Sequence, residues 1–288
     1  MAAKILVTGA TGNVGLEVAK TLQKMGVPFR AGDVETGRVH QRLGETTEAA
    51  RFLFGDMSTY AGAFQGIERV FLMRPPRITD VKKYMFPAID AAVGAGVRHF
   101  VFLSLIGIEQ NTAVPHYKVE QYLKQLPVHY TFLRASFFMQ NLNTTHRIEI
   151  RDRDELFIPA GRSKTSFLDT RDIGASAAAV LTQPGHARKA YDLTGPESLD
   201  YEEVARQLSE VLGRTITYRS PSLPAFVLRK VREGTPLTFA LVMAFLYRNT
   251  KNGIADKVNG EVERLTGCKP TTLRQYLYDY RQSWEKTT

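Results

Sequence analysis

The chain has 288 residues, is 43% hydrophobic and carries a formal net charge of +9, which excludes a disordered or fibrous chain and allows one doubly wound domain or two unequal ones. Basic residues gather at Arg147, Arg151 and Arg153 and from Arg214 to Arg232, but Glu149, Asp152, Asp154 and Glu155 interleave the first group. With no helix-turn-helix, finger or RNA-binding pattern, the charge reads as a solvated mixed face that attracts an anionic cofactor and excludes direct nucleic-acid binding, while the single cysteine, Cys268, allows no internal disulfide and no Cys/His spacing predicts a metal site.

The stretch from Lys4 to Gly15 is the most informative. Ile5, Leu6 and Val7 predict a short buried strand; Gly9, Gly12 and Gly15 follow at three-residue intervals, and Leu16, Val18, Ala19 and Leu22 repeat at helical spacing. This predicts strand, glycine turn and a helix from Val14 to about Met25. Thr8, Gly9, Thr11, Gly12, Asn13, Val14 and Gly15 would then bring bare backbone N–H groups and a helix N-terminus to one point, where a pyrophosphate can be held. The strand starts almost at once, which predicts no signal peptide. The longest apolar run, Leu237 to Tyr247, is shorter than the roughly 20 residues of a membrane span. The expectation is a cytoplasmic protein that does not cross a membrane.

Val27 to Gly32 predicts a second strand ending at Asp33, about 18 residues beyond Gly15 and so near the ~20 at which an acidic side chain meets the adenosine ribose. A carboxylate there repels a 2′-phosphate and favours NAD over NADP; a surface turn beside Glu35 is the competing role. Arg30, Arg38 and Arg42 keep NADP open, because a guanidinium in that pocket would pair with the phosphate. Phe52 to Phe54 predicts a third strand delivering Asp56, either to the adenine edge or to cap a short helix through Phe64. Val70 to Met73 is the fourth, placing Met73 and Arg74 beside the nucleotide, with Arg74 on phosphate or in water. A helix from Val81 to Val93 leads to a fifth strand, Phe100 to Leu103, with Ser104 at its end. His116 lies in the first turn of a helix from Val114 to Gln125. A sixth strand, Tyr130 to Leu133, precedes Phe137, Phe138, Met139 and Asn141, which suit a flat substrate pocket or plain core, with Asn141 on a carbonyl or capping a helix.

Repeated alternation of strand and helix specifies a parallel sheet with right-handed crossovers and the glycine turn at its switch point. Farther on, Arg151 to Glu155 reads as a loop or helix end, Asp172 to Leu181 as a helix, Tyr191 to Leu193 as a strand, Tyr201 to Leu212 as a helix and Thr215 to Tyr218 as a strand. An apolar helical stretch, Leu223 to Tyr247, breaks near Gly234 to Pro236 and either roofs an acceptor pocket or binds a partner subunit; a Tyr-rich helix, Thr271 to Trp284, closes the chain. The predicted fold is α/β: a doubly wound parallel (Rossmann) sheet in residues 1–150, also receiving 164–185, with a smaller α+β substrate region in 151–288.

Thr8 to Gly15 resembles the glycine motif of extended and atypical short-chain dehydrogenases. His116 to Glu120, Tyr130 to Asn141, Asp169 to Gly174, Tyr191 to Glu197 and Val262 to Gly267 resemble, in that order, the NmrA-like branch of the superfamily, so the likeness runs nearly end to end. The resemblance implies an NAD(P)-binding fold in a branch that includes quinone reductases, dye reductases and non-catalytic redox-sensing regulators. Ser104 falls at the position resembling the superfamily's catalytic serine. The usual Tyr-x-x-x-Lys pair is absent: His116 stands where the Lys would be and Thr112 where the Tyr would be. Tyr117 and Lys118 are adjacent, diverge by about 100° on a helix and cannot replace an i, i+4 pair. His116 would bond a nicotinamide-ribose hydroxyl or donate a proton; a structural histidine is the alternative. Reductases of this branch often carry Arg directly after the second strand, where Asp33 and Val34 stand here. The expectation is therefore an NAD(P)H-dependent reductase that passes hydride to a quinone, azo dye or similar conjugated acceptor, with His116 and Ser104 as its candidate catalytic residues. The alternatives are a non-catalytic regulator that binds NAD(P) and a protein partner and, less favoured, a sugar-nucleotide epimerase, which needs the absent tyrosine. A homodimer stays open.

Overall fold

The computed structural model describes residues 3–250, 253 and 255–286. They group into two compact units, one comprising Met1–Ala135, Thr170–Leu193 and Glu261–Cys268, the other Ser136–Asp169, Thr194–Gly260 and Lys269–Thr288. In chain order the elements are β1 (Ile5–Thr8), α1 (Asn13–Lys24), β2 (Arg30–Asp33), α2 (Thr36–Leu43), β3 (Glu48–Arg51), α3 (Tyr60–Phe64), β4 (Arg69–Leu72), α4 (Val81–Tyr84), α5 (Phe86–Gly94), β5 (His99–Leu105), α6 (Pro115–Gln125) and β6 (His129–Ala135). There follow α7 (Arg147–Arg153), β7 (Glu155–Phe157), α8 (Thr170–Thr182), β8 (Lys189–Leu193), α9 (Tyr201–Leu212), β9 (Thr217–Arg219), α10 (Leu223–Arg232), α11 (Leu237–Thr250), α12 (Glu261–Thr266) and α13 (Leu273–Asp279).

The first unit is built on a seven-stranded sheet in the order β3-β2-β1-β4-β5-β6-β8, parallel throughout. It is a Rossmann-like α/β fold. All four residues of β1 are buried, as a central strand covered by helices on both faces requires. Because β2 and β4 flank β1, the winding reverses there and the glycine turn leaves the sheet at its switch point. Phe100, Phe102, Phe132, Val70 and Ile89 belong to one buried cluster with Leu6, Phe52, Phe54 and Phe64.

Two expectations are corrected. The third strand is Glu48–Arg51, pairing Arg30 with Glu48 through Asp33 with Arg51, and not Phe52 to Phe54. Phe52 and Phe54 are buried while Leu53 is exposed, so the alternation that reads as a strand is an aromatic loop packed on Tyr60 and Phe64. The pairing strand itself, Glu-Ala-Ala-Arg, lies at the sheet edge and needs no apolar run. The helix predicted from Val81 to Val93 is two helices meeting at Met85, because Pro87 has no N–H to continue the ladder.

In the second unit β7 and β9 form a short parallel pair; β9 starts two residues later than the predicted Thr215 to Tyr218 strand and ends one later. Its core gathers Leu156, Ile158, Leu208, Phe226, Tyr276 and Trp284. Trp284 closes a 3₁₀ turn after α13, and its indole N–H donates to the Leu142 carbonyl at 3.0 Å. Among the described residues no helix is long and apolar enough to cross a membrane.

Candidate functional site

The glycine turn is a tight backbone cradle. Gly9 is left-handed, and a Cβ on Gly15 would lie 2.2 Å from the Gly9 carbonyl oxygen, so α1 starts directly against the turn. Gly12 caps α1 without a side chain, and no acidic residue fills the first turn. The amides of a first helical turn have no intrahelical acceptor, so the open end of α1 is a fitting place for a pyrophosphate. Thr8 secures the turn from below: its hydroxyl donates to the Phe71 carbonyl at 2.9 Å and accepts from the Met73 N–H at 3.0 Å. That pair ties the carboxyl end of β1 to that of β4. Met73 then reaches back toward Gly9, its methyl 2.5 Å from where a Cβ would be.

Asp33 is buried at the end of β2 and belongs to this turn. Its Oδ2 accepts from the Thr11 hydroxyl at 2.7 Å and the Thr11 N–H at 3.1 Å, and its Oδ1 from the Val34 N–H at 2.9 Å. A carboxylate offers about four acceptor positions. Three are occupied, so one at Oδ1 is left for a ribose hydroxyl. Spacing alone did not reveal this bond to Thr11. Of the arginines that favour NADP, Arg30 is committed to Glu48 and to the carbonyls of Gly62, Ala63 and Gln65. Arg42 instead donates to the Thr11 carbonyl at 2.6 Å, beside the glycine turn.

Arg74 is fastened by its own loop, donating to the carbonyls of Pro75, Pro76 and Ile78, and it is not free to seek phosphate. Its Nε donates to Nε2 of His116 at 3.3 Å. That bond assigns the proton of the neutral ring to Nδ1, which removes Nε2 as an acid and leaves one N–H to donate. Burial, and then the Arg74 charge, push His116 down from 6.5 to about 3. His99 is pushed to about 4, chiefly by burial. A histidine depressed in the folded state binds fewer protons there than in the unfolded chain, so stability falls as pH drops from 6.5 toward those values. His116→Gln is expected to lessen the loss of unfolding free energy between pH 7 and pH 5, measured by urea titration. An undiminished loss would show that His116 does not titrate out of the fold.

Ser104 is the penultimate residue of β5, at its carboxyl end, and is fully enclosed. Its hydroxyl donates to Oε1 of the buried Glu120 at 2.6 Å, while Arg134 grips the same carboxylate through Nε at 3.1 Å and Nη2 at 2.8 Å. Arg134 also pairs with Glu109. Burial pushes the Glu120 carboxyl up, against the Ser104 hydrogen bond and the Lys124 charge, and the guanidinium of Arg134 meets both carboxylate oxygens. The position resembling a catalytic serine is thus one end of a structural network linking β5, α6 and β6.

Asp56 caps the 3₁₀ turn at Met57–Thr59, accepting from the Ser58 N–H and hydroxyl at 3.2 and 2.5 Å. Phe137, Phe138 and Asn141 belong to the second unit, where all three are half-buried while Met139 is core. Backbone bonds from Leu168 to Phe137 and from Met139 to Leu168 hold that segment, and the Phe137 ring lies 6.1 Å from Tyr247. The second unit also hides a polar chain that no motif announced. The Tyr247 hydroxyl is 2.6 Å from His146 Nε2, His146 Nδ1 is 2.6 Å from Glu149, and Lys230 donates to Glu149 at 2.7 Å. All four residues are buried. Only their sequence separation, with apolar residues between, hid them.

Residues 1–277 match the model of the NmrA-like family. An NAD(P)H azoreductase from Xenophilus azovorans is 32% identical over 276 residues, covering 94% of this chain and 96% of that protein. Among solved structures, an NADPH-dependent quinone oxidoreductase from Escherichia coli complexed with NADPH superposes with a TM-score of 0.87 at 24% identity, over 96% of this chain and 99% of the other. A Citrobacter triphenylmethane reductase complexed with NADP(H) does so with a TM-score of 0.84 at 24% identity, over 96% and 99%. At that identity the two structures establish the fold.

Proposed function

The chain belongs to the NmrA-like family, and from that premise we propose that it is an NAD(P)H-dependent reductase that passes hydride to a quinone, azo dye or similar conjugated acceptor. The observation that carries this reading is the glycine cradle with Asp33 locked to Thr11, in a chain whose azoreductase relative is matched over nearly its full length. The residues present fit a dinucleotide: the open turn takes the pyrophosphate, the remaining Oδ1 position of Asp33 takes a ribose hydroxyl, and the Nδ1–H of His116 is the donor for the nicotinamide side. Once bound, the reduced nicotinamide supplies the hydride. This chain's own residues then position the dinucleotide, and Phe137 and Phe138 are the candidate acceptor-binding residues of the second unit. No concerted acid is demanded, because charge left on a reduced quinone or azo group is delocalised. That suits a chain lacking the Tyr-x-x-x-Lys pair, with Ser104 enclosed and His116 neutral.

NAD is preferred to NADP in this reading, because the Asp33 carboxylate repels a 2′-phosphate. Asp33→Ala is expected to weaken NADH binding about 10- to 100-fold, since a hydrogen bond to a charged group contributes roughly 1.5–3 kcal/mol, and to move the NADH/NADPH ratio toward NADPH, with Arg42 nearby. The dissociation constants of both nucleotides for both proteins test the preference, and an unmoved ratio removes it. Oxidation of NADH or NADPH by the wild type with a panel of quinones and azo dyes tests the activity. The enclosed Ser104 favours a second reading, a non-catalytic regulator that binds the nucleotide and a protein partner. Tight binding with no acceptor reduced above background would assign that role.

A further inference from the structure

We propose that the outer face of α11, with the adjoining edge of α10, is the interface of a homodimer. α11 is apolar all round: Ala240, Met243, Ala244 and Tyr247 are buried in its own unit, while Leu237, Phe239, Leu241, Val242, Phe245 and Leu246 remain 37–56% exposed. A helix hydrophobic on every side belongs in an interior, and here the chain supplies only one wall. Leu228 and Val231 of α10, 52% and 39% exposed, extend the surface.

Area and charge identify the occupant. Taking about 190 Å² for a fully exposed side chain of this size, the eight residues present on the order of 700 Å², above the roughly 300–600 Å² that a monomer's largest apolar patch usually covers. Set against its own copy, the face would bury about 1,400 Å², within the 1,200–2,000 Å² of a standard stable interface. The only charged residue in α11 is Arg248, near its end. Within α11 the face therefore offers no charge to an acidic protein or a polyanion and meets itself about a two-fold axis without repulsion, while the exposed Arg232 of α10 stands beside Val231 at its edge.

The test is the mass of the full-length protein by sedimentation equilibrium, from nanomolar to tens of micromolar. The wild type is expected at twice its 32.3 kDa in the micromolar range. Leu241→Glu and Phe245→Glu are each expected to weaken association about 100-fold or more, as the loss of a central apolar anchor does. Circular dichroism and thermal melts report whether the variants still fold. Met57→Glu, which alters a 72% exposed methionine of the first unit, is expected to leave the dimer intact. A wild type that stays monomeric throughout overturns the proposal, whether or not it sediments with phosphatidylserine vesicles. So does a dimer indifferent to both α11 substitutions. Each result is independent of nucleotide oxidation.

Discussion

Gly15→Ala is expected to weaken binding of NADH and NADPH by at least about 100-fold while leaving the far-ultraviolet circular dichroism unchanged. The added methyl would lie 2.2 Å from the Gly9 carbonyl oxygen, 2.7 Å from its carbon and 3.0 Å from the Thr8 oxygen. These are backbone atoms with no rotamer to change, so relief must come from moving the turn away from α1. That displaces the amides that face the pyrophosphate, for an overpacking cost of about 1–3 kcal/mol in stability. Gly9→Ala is an informative contrast. Its methyl would meet only the flexible end of Met73, at 2.5 Å, and its cost arises from a left-handed backbone, roughly 1–2 kcal/mol. Isothermal titration of both nucleotides with both variants decides the matter. Gly15→Ala binding as tightly as wild type would refute the cradle.

Glu149→Gln is expected to cost about 3–5 kcal/mol of unfolding free energy, as removal of one partner from a buried ion pair does. Lys230, 4% exposed, would be left beside a neutral amide, and His146, 1% exposed, would lose its carboxylate. Glu233 at 3.4 Å reaches Lys230 only weakly. Glu149→Leu combined with Lys230→Met is expected to recover most of the loss, since neither charge is then stranded. Urea unfolding of the single and double variants measures this, and a cost below about 1 kcal/mol for Glu149→Gln would mean the pair is not desolvated. The pH dependence has a definite sign. Burial raises the Glu149 carboxyl, but the charges and hydrogen bonds of His146 and Lys230 outweigh it and bring it from 4.5 to about 2. A depressed carboxylate stabilises the fold above its unfolded value, so this contribution is present above pH 4.5 and is lost as pH falls toward 2. The histidine effect begins at higher pH, from 6.5, and runs down to about 4 for His99 and about 3 for His116, so the stretch between 6.5 and 4.5 belongs to the histidines and the onset of the Glu149 loss lies below it.

The Glu149 network and Asp33 mark the two limits of reading a site from residues alone. Asp33 lies at a fixed distance from a glycine turn, and its candidacy follows from counting. Its commitment to Thr11 does not follow, because that bond joins the glycine turn after β1 to the end of β2. Ser104 was legible as a position and not as an environment: Glu120 and Arg134, 16 residues after it and 30 respectively, close over it only when α6 and β6 fold back on β5. The third strand was misplaced for a related reason, since buried aromatics mark packing and edge pairing leaves little mark in composition.

By itself the sequence determined the strand, glycine turn and helix, the run of parallel crossovers and the candidacy of Asp33, because glycine spacing, apolar periodicity and loop length are local properties that each residue expresses where it stands. Tertiary structure alone decided which hydroxyls and ring nitrogens are already spent, that His116 is held neutral by burial and by Arg74 42 residues away, that Glu149 and Lys230 meet 81 residues apart, and which side of an all-apolar α11 stays open. Those outcomes depend on which distant side chains meet and how much water leaves them when they do, and neither desolvation nor long-range contact is written in any local pattern.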